Sequence, residues 1–404
     1  MPSAPPPRTS RGLDSLIFFI SDVQTGFGPF VAVYLTARHW TQVEIGFALS
    51  LGTVTAMISQ VPAGALVDAL RGKRAAAASG IVAIGLSALL LACWPALLPV
   101  LVAQVLHGFA SCMVAPAIAA ISLGLVGHAA LGERLGRNAR FGALGNGLAA
   151  GAMGVLGSYV SEQAVFVLTA LLCLPALASL PFIEGRRRIV DGTPPRSAAT
   201  PRAGWSEVVV LLTDRRLLVF AACATLFHLS NAAMLPIAAG EVTQREGTRA
   251  SLIIAACIVI PQAVVTLISP WVGRTAEQLG RRPMLLLGWA SLPLRGVLLA
   301  MLPNPSLLVA VQAIDGVGAA VFGVMLPLIA ADLTLGLNRF NLCIGIFGLA
   351  AFAGAALSTT VAGWLADAAG EPTAFLGLAL AGLAGTALLW LAMPETRPTA
   401  EAIE

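Results

Sequence analysis

Among the few ionisable side chains inside the long apolar stretches of this chain are Asp22, Arg295 and Asp315, together with His107 and His228. A charge at mid-bilayer costs about 2.5–3.5 kcal/mol on insertion scales, so such a group is a functional candidate by default. The chemistry open to these residue types is proton uptake and release, because a carboxyl or imidazole held away from water responds strongly to changes in its surroundings. By helical rise Asp22 lies about 12 Å into its stretch. Thr25, Gly26 and Pro29 share its face, and the proline predicts a kink. Arg295 and Asp315 fall at similar depth, about 10–12 Å from the same side. As a pair they read either as a tie between two helices or as a guarded proton site. Asp22 has no evident partner in sequence and ranks first for proton coupling, against the reading of a core carboxylate that stays neutral.

Polar side chains accompany these groups. Gln104, His107 and Ser111 share one helical face, Asn231 follows His228, and Gln312 precedes Asp315. Asn146 and Gln262 are second-rank candidates, on the rule that polar groups within spans face the interior of a bundle. The six cysteines stand singly in apolar stretches, with no CxxC and no histidine at ligand spacing, so they read as packing residues and no metal or cofactor is expected. There is no HExxH, serine dyad or phosphate loop, which argues against a membrane enzyme and an ATP-driven motor. Nothing points to a nucleic-acid partner.

The elements that must position these residues follow from composition. Of 404 residues 57% are hydrophobic and 11% are charged, against about 25% charged in a soluble domain. A bilayer core needs about 20 apolar residues per helix. Twelve stretches qualify, at roughly 14–37, 43–67, 75–94, 97–126, 140–160, 164–183, 217–240, 251–272, 284–302, 307–331, 342–365 and 374–393. The expected fold is therefore an all-α membrane protein with two six-helix bundles, residues 1–183 and 207–404, joined by a charged, turn-rich linker at 184–206. Within and after that linker, Trp205 to Leu212 reads as a short helix lying along the membrane surface. Basic residues concentrate in the even-numbered connections and the tails, which places both termini in the cytoplasm. The proline-rich start lacks the apolar core of a cleaved signal, so the first helix serves as the insertion signal. Lysine occurs once, at Lys73, a bias toward arginine that suggests a bacterial source and hence an inner membrane.

The chain also repeats itself. GALVDALRGKR at Gly64 to Arg74 matches GRTAEQLGRRP at Gly273 to Pro283, QVLHG at Gln104 matches QAIDG at Gln312, and Ser21 with Asp22 aligns with Ser230 and Asn231. The loops after helices two and eight thus carry Gly64, Asp68 and Gly72 in one copy and Gly273, Glu277, Gly280, Arg281 and Arg282 in the other. On a six-plus-six repeat, this pattern resembles the major facilitator superfamily of secondary transporters over nearly the whole chain. The resemblance implies that these loops latch the cytoplasmic side, each acid meeting a helix N-terminus and nearby arginines, with Arg137 or Arg140 open to Asp68. Topology anchoring alone is the plainer reading of the same arginines. The resemblance also places helices one, four, seven and ten around a central cavity, where Asp22, His107, His228, Asn231, Gln312 and Asp315 would meet. Helix four lacks the arginine common in the drug antiporters of this superfamily, with Gln104 in its place, and helix five lacks their Gly-Pro pair. The function that the resemblance implies is alternating access for a small-molecule substrate, coupled to protons, within membrane lipid. Export by exchange comes first, uptake of an organic acid or sugar-like solute second, and a sensor or lipid flippase derived from the fold remains a rival.

Overall fold

The computed structural model describes residues 7–25, 30–31, 34–35, 37–70, 72–183, 212–238, 250–301, 305–337 and 339–398. The 184–206 linker and most of the Trp205 to Leu212 stretch therefore lie outside the described residues, as do Gly26 and Pro29 with their expected kink.

Twelve α-helices appear among the described residues: α1 Pro7–Thr25, α2 Gln42–Ala69, α3 Lys73–Cys93, α4 Leu97–Val126, α5 Leu131–Tyr159, α6 Glu162–Ser179, α7 Arg215–Asn231, α8 Ala250–Leu279, α9 Arg281–Met301, α10 Pro305–Leu333, α11 Phe340–Ala369 and α12 Glu371–Ala392. Among the described residues, ten of them are long and apolar enough to cross a bilayer by length and composition. Large apolar side chains such as Leu98, Leu267 and Leu391 stand about three-quarters exposed on the outside. Lipid satisfies such faces and water does not.

Local chemistry sets the ends. Thr41 and Glu44 form a reciprocal capping box at the start of α2, Ser161 caps α6, and Asp214 caps α7. Gly127 after α4 and Gly336 after α10 both adopt positive φ, at 72° and 76°, a conformation that glycine takes at little cost. Prolines lie inside α2, α4, α6, α8, α9 and α10. Membrane helices tolerate this because neighbouring groups re-satisfy the freed backbone.

Packing repeats from one half of the chain to the other. In the first half α1 packs on α3 and α6, α2 on α4, and α3 on α4 and α6; in the second α7 packs on α9 and α12, α8 on α10, and α9 on α10 and α12. The chain forms two compact units that do not coincide with the halves. One unit comprises Met1–Gly127, Phe141–Gly192 and Leu337–Gly345; the other comprises His128–Arg140, Thr193–Gly336 and Ile346–Glu404. The start of α11 therefore packs with the first-half helices, and the start of α5 with the second-half helices.

The core of the first unit gathers Leu13, Leu16, Ile20, Tyr34, Ile81, Ile84 and Phe166. The Tyr34 hydroxyl donates to the Leu91 carbonyl at 2.9 Å, so its polar end is satisfied. In the second unit Phe220, Phe227, Trp289, Phe322 and Phe347 form an aromatic cluster, anchored by Trp289 Nε1 donating to the Cys223 carbonyl at 3.0 Å. Five of the six cysteines are buried and Cys93 is exposed.

Candidate functional site: two helix-end clasps and a buried ion pair

The first clasp lies within the first unit. Along one face of α2, Gln60, Gly64 and Asp68 recur every fourth residue and meet the start of α11. A Cβ at Gly64 would overlap the Asn341 carbonyl oxygen, and one at Gly345 would overlap the Gln60 carbonyl, so both glycines are required for the approach. That approach brings Asp68 onto the helix end. Its carboxylate accepts from the Asn341 and Leu342 backbone N–H groups at 3.1 and 2.8 Å and from the Asn341 side-chain amide at 2.7 Å. These are first-turn donors with no partner inside their own helix, and the positive end of the helix favours the acid. The hydrogen bonds of Asp68 thus come from the start of α11, while Arg137 and Arg140, the partners expected for it, are exposed on α5. Lys73 Nζ donates to the Val67 and Asp68 carbonyls at 2.6 and 3.0 Å and closes the turn behind the acid.

The second clasp lies within the second unit and repeats the first 209 positions on, as in Gly64 to Gly273 and Asp68 to Glu277. Ser269, Gly273 and Glu277 of α8 meet Gly132 and Gly136 of α5. A Cβ at Gly273 would overlap the Gly132 carbonyl, and one at Gly136 the Ser269 carbonyl. Glu277 Oε1 accepts from the Gly132 and Glu133 N–H groups at 2.6 and 3.3 Å.

The second clasp is braced further. Arg281 is buried and forms a two-pronged pair with Asp332 at 2.9 and 3.2 Å, with its third contact to the Ala276 carbonyl at 2.8 Å. His128 Nε2 stands 3.4 Å from the same carboxylate. Gly280 turns the chain from α8 to α9 at φ 102°, and Glu395 seats against it, accepting the Arg281 and Arg282 N–H groups at 2.8 and 3.1 Å. Burial alone would raise the pKa of Glu395, but four backbone N–H donors, from Arg281, Arg397, Arg282 and Thr396, hold it below its ordinary value. Arg282 also donates to the Trp390 carbonyl, and Arg397 to that of Gln278 at 3.0 Å. Gly72 has no such duty: it caps α3 at φ −107°, and a Cβ there would meet only Ala75 at 3.5 Å.

The ion pair sits deep among α7, α9 and α10. The Arg295 side chain is 1% exposed and that of Asp315 is 20% exposed, and Nη1 donates to Asp315 Oδ1 at 2.7 Å. The same Nη1 donates to Asn231 Oδ1, and Nη2 donates to Gln312 Oε1 at 2.8 Å. Four expected site residues are thereby joined. His228, one turn before Asn231, lies edge-on to Phe322 with ring centres 4.8 Å apart. Gln262 is half-buried on α8.

On α4 of the first unit, Gln104 and His107 are buried, and His107 Nε2 lies 3.3 Å from Ser111 Oγ. Gly52 of α2 faces Gln104, where a Cβ would stand 3.1 Å from its Oε1. Asn146 is half-buried on α5. Asp22 occupies the last turn of α1, but its side chain lies outside the described residues. Among the described residues no cluster of histidine, cysteine and carboxylates could hold a metal.

The sequence matches the profile of the Major Facilitator Superfamily over residues 14–267 and 231–404, which together span nearly the whole chain. The chain belongs to the major facilitator superfamily. Two curated relatives, each called an uncharacterized MFS-type transporter, come from strains CDC 1551 and H37Rv of Mycobacterium tuberculosis. Each is 39% identical over 401 residues, covering 97% of this chain and 95% of the relative. Among solved structures, the proton:xylose symporter XylE, bound to 6-bromo-6-deoxy-D-glucose, superposes with TM-score 0.72 at 14% identity, covering 98% of this chain and 97% of its own. FucP in its outward conformation does so at 0.68 with 17% identity, covering 96% and 99%. At such identities the likeness is one of fold. Membership makes this chain a multi-pass membrane transporter and not an enzyme.

Several working residues of this superfamily member are not evident from sequence. Asn341 and Leu342 are the findable ones, because carrying the 209-position offset from Gly132 and Glu133 lands on them. Asp332 and Glu395 carry no such signal, since both sit at helix ends where an acid usually means a solvated cap.

Proposed function

We propose that this chain is a proton-coupled secondary transporter of a small organic solute in a bacterial inner membrane, with both termini cytoplasmic. It works by alternating access, the two six-helix halves rocking about a midplane site. The observation that carries this reading is the buried Arg295–Asp315 pair. Holding a guanidinium and a carboxylate at this depth costs several kcal/mol of desolvation per ion, and hydrophobic packing would tie α9 to α10 without it. The partly open Asp315 oxygen gives a proton a way in. Asp22 stands as the second candidate carboxylate. The two clasps serve as cytoplasmic latches, made in one state of the cycle and broken in the other.

The charge of the pair bears on direction. Asp315 is already neutralised by Arg295, so a cationic solute would find no open carboxylate to exchange with a proton. This favours proton and solute moving together, hence uptake, over the export by exchange that the sequence puts first.

Protein reconstituted into vesicles with an internal pH dye tests the reading. Candidate solutes added outside should acidify the lumen in wild type, and Asp315→Asn should abolish the signal while Asp22→Asn reduces it. Luminal alkalinisation would restore export by exchange. A wild-type signal that neither variant alters would refute both carboxylates as couplers.

A further inference from the structure

We propose that the solute is an organic anion with one carboxylate, and that Arg295 is its anchor, released for that purpose when Asp315 takes a proton. This inference rests on the proton-coupled reading above and names the substrate class of the same site.

Three acceptors close to Arg295 take its N–H groups: Asn231 Oδ1, Gln312 Oε1 and Asp315 Oδ1. Two donors are left over. Arg295 Nε and the Gln312 side-chain nitrogen are both buried without a hydrogen-bond partner, on residues that are 1% and 0% exposed. Turning the Gln312 amide over would set its NH2 against the guanidinium, so the orientation with a spare N–H is the one the network selects. A buried unsatisfied donor is costly, more so near a charge. The site therefore holds two N–H groups that no acceptor of the protein meets. A carboxylate, with about four lone-pair positions on two oxygens, supplies what is missing, and its planar fork matches guanidinium geometry.

Charge supplies the second step. With Asp315 ionised the pair is neutral and an incoming anion gains little. When a proton bonds to Asp315, its charge-assisted bond to Nη1 is lost, and Arg295 is left as a buried cation facing a neutral acid. Neutralising one partner of such a pair leaves the other as an uncompensated buried charge, and an anion relieves it. Proton and anion thus bind together, and the loaded site has the same net charge as the empty one. For a monoanion, transport is electroneutral.

Other titratable groups near the pair do not supply this switch. From α8 the Cys257 thiol interacts with Arg295, and from α7 the His228 ring stands one turn from Asn231. Neither of these two is a second carboxylic acid.

The test uses purified full-length protein and a panel of acetate, lactate, benzoate and succinate, each paired with its neutral amide. Binding is read by thermal shift and calorimetry near pH 5.5 and pH 7.5, where these carboxylates are ionised or largely so. At least one monocarboxylate should bind wild type roughly tenfold more tightly at the lower pH, which is about 1.4 kcal/mol, and its amide should not bind. Asp315→Asn should bind it at the high affinity at both pH values, and Gln312→Leu should weaken it while keeping the pH dependence. In vesicles its uptake should follow a pH gradient and ignore a potassium-diffusion potential. If folded Asp315→Asn binds none of the carboxylates, the anion anchor is wrong. It is wrong on its own if a neutral sugar such as xylose moves with protons in an Asp315-dependent way. If carboxylates bind equally at both pH values in wild type and Asp315→Asn, the anchor stands and proton coupling at Asp315 falls.

Discussion

Replacing Asp68 by asparagine should open the start of α11 without unfolding the unit around it. The carboxylate holds three donors, two of them the Asn341 and Leu342 backbone N–H groups at 3.1 and 2.8 Å. Those N–H groups have no carbonyl four residues back to bond, whereas the next one, of Cys343, already reaches the Arg339 carbonyl at 3.0 Å. Asp68 is therefore the acceptor that protects them. Asparagine keeps one acceptor oxygen but loses the charge. Hydrogen bonds to a charged group contribute about 1.5–3 kcal/mol against about 0.5–1.5 for neutral ones, and the helix dipole adds about 0.3–1 kcal/mol. A net loss of about 2–3 kcal/mol corresponds to roughly 30- to 150-fold faster local opening. Hydrogen–deuterium exchange of a peptide spanning residues 339–345 reads this directly. The Gly132 and Glu133 amides, held by Glu277, are the internal control and should not change. Unchanged exchange at Asn341 and Leu342, or equal acceleration at Gly132 and Glu133, would show that Asp68 is not the cap and that the first clasp rests on something else.

Glu277→Gln should give the mirror result, speeding exchange at Gly132 and Glu133 and sparing Asn341 and Leu342. Gly64→Val and Gly273→Val should each cost about 1–3 kcal/mol from overpacking against backbone that cannot yield, seen as a lower melting temperature, whereas Gly72→Ala should be neutral or stabilise by up to about 1 kcal/mol. Glu395→Gln should lower stability near pH 7, and the difference from wild type should vanish in acid. The folded pKa is depressed, so the contribution of the carboxylate is complete above its ordinary value of 4.5 and is lost as pH falls below that through the lower folded value; a gap that persists well below 4.5 would contradict this. Arg281→Met and Asp332→Leu should each destabilise by about 3–5 kcal/mol, and the double variant by much less than their sum, because only the single changes leave a buried charge unpaired; additive losses in a thermal double-mutant cycle would refute the pairing.

How much of the fold and site is legible in sequence depends on whether the cause is local. The number of helices, their repeat and the glycines of both clasps can be read directly, because apolar length and the Gly-x-x-x-acid spacing belong to single segments. The partners of the acids are harder. Asp68 reads most naturally as a surface acid near arginines, and its bonds to Asn341 and Leu342 join residues 273 and 274 positions apart. Only the repeat connects them. Arg281 illustrates the opposite failure. A loop arginine on the basic side looks like a topology anchor, yet burial and the two-pronged bond to Asp332 make it a structural ion. By hydropathy the tenth span ends at residue 331, one position short of Asp332, since a carboxylate there reads as the first polar residue outside.

Scaffold and chemistry separate when the two halves are compared. The clasps recur with their glycines and acids in place, and so do the positive-φ glycines Gly127 and Gly336. The Arg295–Asp315 ion pair does not recur. Aligning the starts of α3 and α9 sets Lys73 against Arg281 and Ser87 against Arg295, while the QVLHG and QAIDG stretches align Asp315 with His107. Arginine and carboxylate of the Arg295–Asp315 pair are absent together from the first half. Desolvation demands this: one buried charge without its partner is far costlier than neither, so a fold that accommodates both arrangements gains or lacks them in pairs. The same packing of α3 on α4 and of α9 on α10 exists with and without an ion pair between the helices. The Arg295–Asp315 pair is therefore not needed to bring two such helices together. The proposed role of the pair in binding therefore rests on the two unmet N–H groups beside it and not on its help in packing.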